Sequence, residues 1–344
     1  MVSTGWASSV SACCAMTDTV VDALVQMGLV GEGESISLSP LTGGVSSDIM
    51  LAEVGDRHFC VKRALPQLKV AAQWLAPVER NAVEAAYLRI VAGWLPGLVP
   101  EILGEDRAAG LFTMAYLPEE THPVWKRQLL DGKVDVAFAA SVGTALGRIH
   151  KRSAADPDVP AQFDNMNLFE ALRLDPYLRA TGRAHPDLAA TLEALADKVA
   201  GTRKALMHGD VSPKNMLVGP SGPVLLDAEC GCFGDPAFDL AFLLNHLLLK
   251  ATLFHTQPAP YLAAHSAIAE AYLAEVDWED RDDLARRCAD LLPGLLLARV
   301  DGKSPVEYLD EPARDWLRQL ARQLLVTPGT SLSQLPDFWS LRHA

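Results

Sequence analysis

Apolar residues follow one rhythm in the first third of the chain and another in the rest. Residues 36–63 form short runs broken by turns: Ser37-Leu-Ser-Pro-Leu, Thr42-Gly-Gly-Val-Ser-Ser47, Asp48-Ile-Met-Leu-Ala-Glu-Val, the turn Gly55-Asp56, then Arg57-His-Phe-Cys-Val-Lys62. This punctuation predicts a three-strand meander with a glycine turn between its first two strands. Over 77–94 the spacing of Val78, Ala82, Ala85, Ala86, Leu88, Ile90 and Val91 is helical. Two more strands are predicted near 101–104 and 111–114. Beyond Pro118 the pattern is mainly helical. One helix spans 136–150, with Phe138, Val142, Ala145, Leu146 and Ile149 on its apolar side, and others fall within 166–200, 236–250, 260–275, 280–298 and 310–325. Residues 152–164 read as a loop, and 206–229 as two short apolar strands around a polar loop, then a strand ending in acids. Residues 1–15 lack a basic start and a strong apolar stretch, so a disordered extension is expected rather than a secretory signal. Thr17 or Asp18 would cap a helix running to about Met27.

Composition narrows the class. A chain of 344 residues, 49% hydrophobic and 21% charged, has the make-up of an ordinary globular protein with ample core. No apolar run approaches the ~20 residues of a membrane span. A net charge of −13 argues against sequence-independent binding to nucleic acid or to an anionic membrane. Six cysteines make no disulfide framework. Cys230-Gly-Cys232 lacks the second spaced pair of a zinc site, so free thiols and a cytoplasmic address are expected.

The chemistry concentrates in Leu206-Met-His-Gly-Asp-Val-Ser-Pro-Lys-Asn-Met-Leu-Val218 and Val224-Leu-Leu-Asp-Ala-Glu229. Asp210 is a candidate base, Asn215 a neutral oxygen ligand five residues on, and Asp227 and Glu229 close the next strand. Phosphoryl transfer needs an acceptor for the attacking hydroxyl's proton and oxygen ligands for Mg²⁺, and these residue types supply both. His208-Gly-Asp210 with Asn215 resembles the His-Gly-Asp-x-x-x-x-Asn loop of the aminoglycoside phosphotransferase and choline kinase superfamily. Asp227-Ala-Glu and Gly234-Asp-Pro-Ala-Phe-Asp239-Leu-Ala match the next motif of these small-molecule kinases, and the likeness extends weakly from about Ser37 to the C-terminal helices.

The resemblance implies an α+β, bilobal protein-kinase-like fold. Residues 16–114 would form a five-stranded antiparallel nucleotide-binding lobe with one helix, 115–118 a hinge, and 119–344 a mainly helical lobe. It implies ATP and Mg²⁺. Lys62 would grip the ATP phosphates with Glu84 as its ion-pair partner (Glu79 is the competitor), under a loop containing Gly43, Gly44, Ser46 and Ser47. Met114, Ala115 and Leu117 would face adenine. Asp210 is the catalytic residue, His208 a loop organiser, and Asn215 and Asp227 metal ligands. Glu229 would hold a second metal or a metal-bound water, or brace the loop. Asp235 would cap a helix ahead of Pro236, and Asp239 would accept hydrogen bonds from the catalytic-loop backbone. The protein-kinase lysine two residues after the base is replaced by Ser212, and Asp-Phe-Gly and Ala-Pro-Glu signatures are missing. A small-molecule alcohol acceptor is therefore expected, not a protein.

Arg299, Asp301 and Lys303 are acceptor-site candidates, the basic pair suited to a carboxylate or phosphate, or else a helix end with solvated charges. Arg173 and Tyr177 stand open in the same way. The activity expected is transfer of a γ-phosphate to a sugar or amino-alcohol metabolite. The alternatives are an aminoglycoside-type antibiotic kinase and a silent kinase-fold nucleotide-binding protein.

Overall fold

In the computed structural model residues 19–31, 33–41, 47–65 and 79–340 are described. The chain divides into two compact units. One holds the described residues up to Arg89 together with Pro100–Leu117, the other Ile90–Val99 and the chain from Pro118 onward. The extension at 1–15, the caps at Thr17 and Asp18, and Gly43, Gly44 and Ser46 lie outside the described residues.

The first unit is a five-stranded antiparallel sheet. Its strands are β1 (Ser37–Pro40), β2 (Ser47–Val54), β3 (Arg57–Ala64), β4 (Ile102–Asp106) and β5 (Leu111–Ala115), in the order β1-β2-β3-β5-β4. The meander is as predicted: the turn at Gly55, with φ +58°, sets Val54 opposite Arg57 and Ile49 opposite Lys62. Val20, Ala23 and Leu24 of the helical residues 19–26 bury against Val54, Phe59, Val61 and Leu111. Helix α1 (Arg80–Trp94) supplies Glu84 to this unit.

The second unit is mainly helical. Its long helices are α2 (Val136–Ala154), α3 (Ala189–Gly201), α4 (Pro236–Leu253), α5 (Ala259–Glu275), α6 (Arg281–Asp301) and α7 (Glu311–Val326). α4 is mostly apolar and nearly all of its 18 residues are buried, which makes it the core element. Asp235 caps it as expected, accepting from the Ala237 amide at 3.0 Å with Pro236 at the first helical position. Two small antiparallel sheets complete the unit: β6 (Ala205–Met207) with β9 (Cys232–Gly234), and β7 (Met216–Gly219) with β8 (Gly222–Leu225).

Some helices differ from the sequence expectation: a short one, Val159–Gln162, lies within the segment expected to be a loop. Residues Glu170–Arg179 form a π-helix that contains Pro176, whose missing amide proton favours a shifted hydrogen-bond ladder. The helix expected over 280–298 runs on through Arg299 to Asp301, and it ends within 297–304 as expected, with Gly302 as its cap.

Candidate active site

The loop between β6 and β7 is held from both ends. Gly209 has φ +77°, and a Cβ there would sit 2.7 Å from Cβ of Cys230, so only glycine fits between His208 and Asp210. The carboxylate of Asp239, in the first turn of α4, accepts the His208 amide at 2.7 Å and the Gly209 amide at 2.9 Å, as the resemblance implies. His208 is buried. Its Nδ1 accepts the Asp210 amide at 3.2 Å and its Nε2 faces the Leu226 carbonyl at 3.0 Å. That arrangement assigns a neutral ring protonated at Nε2. Burial lowers its pKa further than the nearby acids raise it. A neutral, fully engaged imidazole organises the loop rather than acting as its base.

Asp210 is 3% exposed. Nη2 of Arg173 lies 2.9 Å from its Oδ2, and Nζ of the half-exposed Lys214 lies 3.2 Å from the same atom. Burial alone would raise the Asp210 pKa, but Arg173 and then Lys214 outweigh it and hold the carboxyl below its usual range. Nε of Arg173 also donates to the Gly209 carbonyl at 2.7 Å, so one guanidinium fixes both the charge and the backbone of the loop. The π-helix delivers Arg173 to this point. The sequence marked Arg173 only as ambiguous, because 37 residues separate it from its partner.

Asn215 sits in the turn Pro213–Asn215 and donates through Nδ2 to Oδ2 of Asp210 at 2.8 Å and to the Asp210 carbonyl at 3.0 Å. Its amide nitrogen is thereby engaged, and its amide oxygen is the atom with capacity for a cation. The Leu226 amide donates to the Asn215 carbonyl at 2.9 Å, continuing the β7–β8 pairing and bringing Asp227 beside Asn215. Asp227 has φ +67°, alone among non-glycine described residues in the left-handed region, a backbone cost borne at functional positions. Glu229 is buried two residues on. Among the described residues no three His, Cys, Asp or Glu side chains gather as a metal cage. Two or three oxygen donors suit Mg²⁺, which takes few protein ligands and completes its shell with phosphates and water. Cys230 and Cys232 are buried free thiols whose pKa burial pushes up, so they remain protonated and are poor zinc ligands.

In the first unit Nζ of Lys62 lies 2.6 Å from the Glu84 carboxylate, both side chains at most 2% exposed. Glu79 is exposed. Ser47 begins β2 and is buried. Met114 is buried in β5, opposite Cys60 and Ile102. The Ala115 amide already donates to the Glu101 carbonyl at 2.8 Å, so its proton is not available to a base; Leu117 ends this unit. Of the acceptor candidates, Asp301 binds His185 at 2.8 Å and Arg318 at 2.7 Å, and Lys303 binds Asp175 at 2.8 Å. Arg299 donates to Ser304 and lies 6.0 Å above the Tyr177 ring.

Comparison with known proteins identifies the family. The profile of the phosphotransferase enzyme family, APH, matches residues 37–281. The chain belongs to this family. Methylthioribose kinase of Bacillus cereus (strain AH820) is 24% identical over 250 residues, 64% of this chain and 62% of that protein, so the match spans less than two thirds of that relative's length. A choline/ethanolamine kinase family protein from Mesorhizobium loti superposes with TM-score 0.53 at 17% identity, covering 91% of this chain and 96% of its own. Plasmodium vivax ethanolamine kinase gives TM-score 0.54 at 10% identity, covering 85% and 83%. At these identities the structural likeness is one of fold alone.

Proposed function

We propose that the protein is a Mg²⁺- and ATP-dependent phosphotransferase acting on a hydroxyl of a small metabolite of the sugar or amino-alcohol type. The observation that carries this reading is Asp210: a buried carboxylate kept ionised by Arg173 and oriented by the Asn215 amide. An ionised carboxylate beside an acceptor hydroxyl takes its proton while the new O–P bond forms and the bond from the γ-phosphorus to the bridging oxygen of ATP breaks, releasing ADP. Asn215, Asp227 and Glu229 are the residues that would hold Mg²⁺, which when bound neutralises phosphate charge.

In the first unit, Lys62 is the proposed phosphate ligand, held in place by Glu84, with Ser47 and the glycine loop at Gly43, Gly44 and Ser46 as the proposed cover. Met114 and Leu117 are proposed for adenine. Ala115 retains a role only through its carbonyl or side chain. The buried free thiols at Cys60, Cys230, Cys232 and Cys288 favour a reducing compartment, and the proposed location is the cytoplasm.

The experiment is incubation with Mg·ATP and a panel of sugars, amino sugars, methylthioribose, choline, homoserine and aminoglycosides, with phosphorylated product detected by mass. Asp210→Asn is expected to lower turnover by about a hundredfold to ten-thousandfold while ATP binding persists. Equal turnover by that variant would remove Asp210 from the mechanism.

A further inference from the structure

Several charged groups of the second unit have no part in the phosphate chemistry, yet they gather in one place. Phe242, His246 and Lys250 follow each other at four-residue spacing on one stripe of α4. Lys250 is 1% exposed. Its Nζ donates to the His246 carbonyl at 3.4 Å and lies 5.6 Å above the Tyr308 ring. Among the described residues no carboxylate stands within ion-pair distance of it. Lys126 and Arg299 both act on Lys250 as like charges, and together with Lys214 they act the same way on His246. The acid of the group, Glu307, is 68% exposed and pairs with Lys126 at 2.9 Å. Nε of Arg299 and the Tyr308 hydroxyl are buried without a hydrogen-bond partner.

An ammonium enclosed beside other cations is costly unless it loses its proton or gains a counter-charge. Burial first, then Lys126 and Arg299, bring the Lys250 pKa down to about 7, where both routes are open. The cluster adjoins the proposed base through Tyr177. That ring touches Phe242 at 5.4 Å and lies under Arg299 at 6.0 Å. Its hydroxyl is also an electrostatic neighbour of Arg173 and Lys214, the two cations on Asp210.

We propose that Lys250, Arg299 and Tyr308 form an oxyanion subsite, and that the acceptor carries a carboxylate or phosphate which this subsite binds while its hydroxyl is offered to Asp210. The oxyanion supplies the missing counter-charge and accepts from the Lys250 ammonium, Arg299 Nε and the Tyr308 hydroxyl. The same charges repel an ammonium group, so within the proposed sugar and amino-alcohol range the subsite selects acceptors that also carry an acid group. The assignment of the bound group as part of a phosphate acceptor rests on the kinase reading; the anion site does not.

Two measurements separate these. Calorimetric titration of sulfate into the full chain, with excess Mg·ADP present throughout, is expected to show binding that Lys250→Met weakens about tenfold or more and Lys250→Arg largely restores. A Lys250→Met protein with a thermal midpoint at or above wild type in the absence of sulfate establishes that it is folded. The second measurement compares acceptors with Mg·ATP by product mass: glycerate against glycerol, glucose 6-phosphate against glucose, and ethanolamine. Preference for the anionic member, reduced about tenfold in Lys250→Met, is expected, and which pair responds tells carboxylate from phosphate. Sulfate affinity unchanged by Lys250→Met, or preference for glycerol, glucose or ethanolamine, would overturn the subsite. Lys250-dependent sulfate binding without transfer to any acceptor would uphold the subsite and count against the kinase reading.

Discussion

Asp210 keeps its charge inside the protein because two cations offset what burial costs it. Lys62 and Glu84 meet the same difficulty by pairing with each other at 2.6 Å. A buried pair adds little stability as a unit, but removing one partner leaves the other's charge buried with less to offset it. Lys62→Met is therefore expected to lower unfolding free energy by about 3–5 kcal/mol in urea melts. The double variant Lys62→Met/Glu84→Leu should recover most of that loss, and equal stability of the single variant and wild type would contradict it. The two pairings differ in how plainly the sequence carried them. Lys62 and Glu84 could be matched because each lies at a recognisable place, the end of an apolar strand and the face of the next helix. Arg173 carries no local signal, and Lys250 reads simply as the last residue of an apolar run, Leu247-Leu-Leu-Lys250.

At the scale of elements, close approach is what the helices impose on their residues. α2 and α5 pack so tightly that a Cβ at Gly143 would lie 2.3 Å from the Ile268 carbonyl oxygen, and one at Gly147 would lie 2.8 Å from Cβ of Glu275. Backbone cannot yield as a side-chain tip can. Gly143→Leu is expected to cost about 1–3 kcal/mol or more through forced separation of the two helices. Gly201→Ala, with nothing within 4 Å, serves as the tolerated control in the same thermal melts. Equal melting of the two variants would refute the tight-packing argument. The π-helix Glu170–Arg179 is the other element with a consequence. Its ten residues carry both Arg173 and Tyr177, one to the Asp210 carboxylate and one to the ring cluster around Phe242. Hydrophobic periodicity finds a helix in this region but does not distinguish a π ladder from an α ladder, so it did not fix which side chains face the loop.

For the molecule as a whole, pH dependence follows from groups that fold into apolar surroundings uncharged. His265 on α5 is 1% exposed, neither ring nitrogen has a partner, and burial alone takes its pKa to about 3. Its unfolded value is about 6.5. As pH falls from about 6.5 towards 3 the unfolded chain takes up a proton that the native chain refuses, so stability present at neutral pH is lost at up to about 1.4 kcal/mol per pH unit. His265→Phe is expected to flatten that slope between pH 6.5 and 4 in calorimetric midpoints, and an unchanged slope would show that the ring is solvated. By itself the sequence determined the meander, most helix positions, the cap at Asp235, and the family to which Asp210, Asn215 and Asp227 point. These are legible because each depends on residues within one turn, one strand or one contiguous loop. Tertiary structure alone decided that Arg173 holds the Asp210 charge, that the Ala115 amide is spent on Glu101, and that Lys250 stands buried among like charges. Those outcomes depend on which distant side chains share a low-dielectric space, and spacing along a chain does not encode that locally.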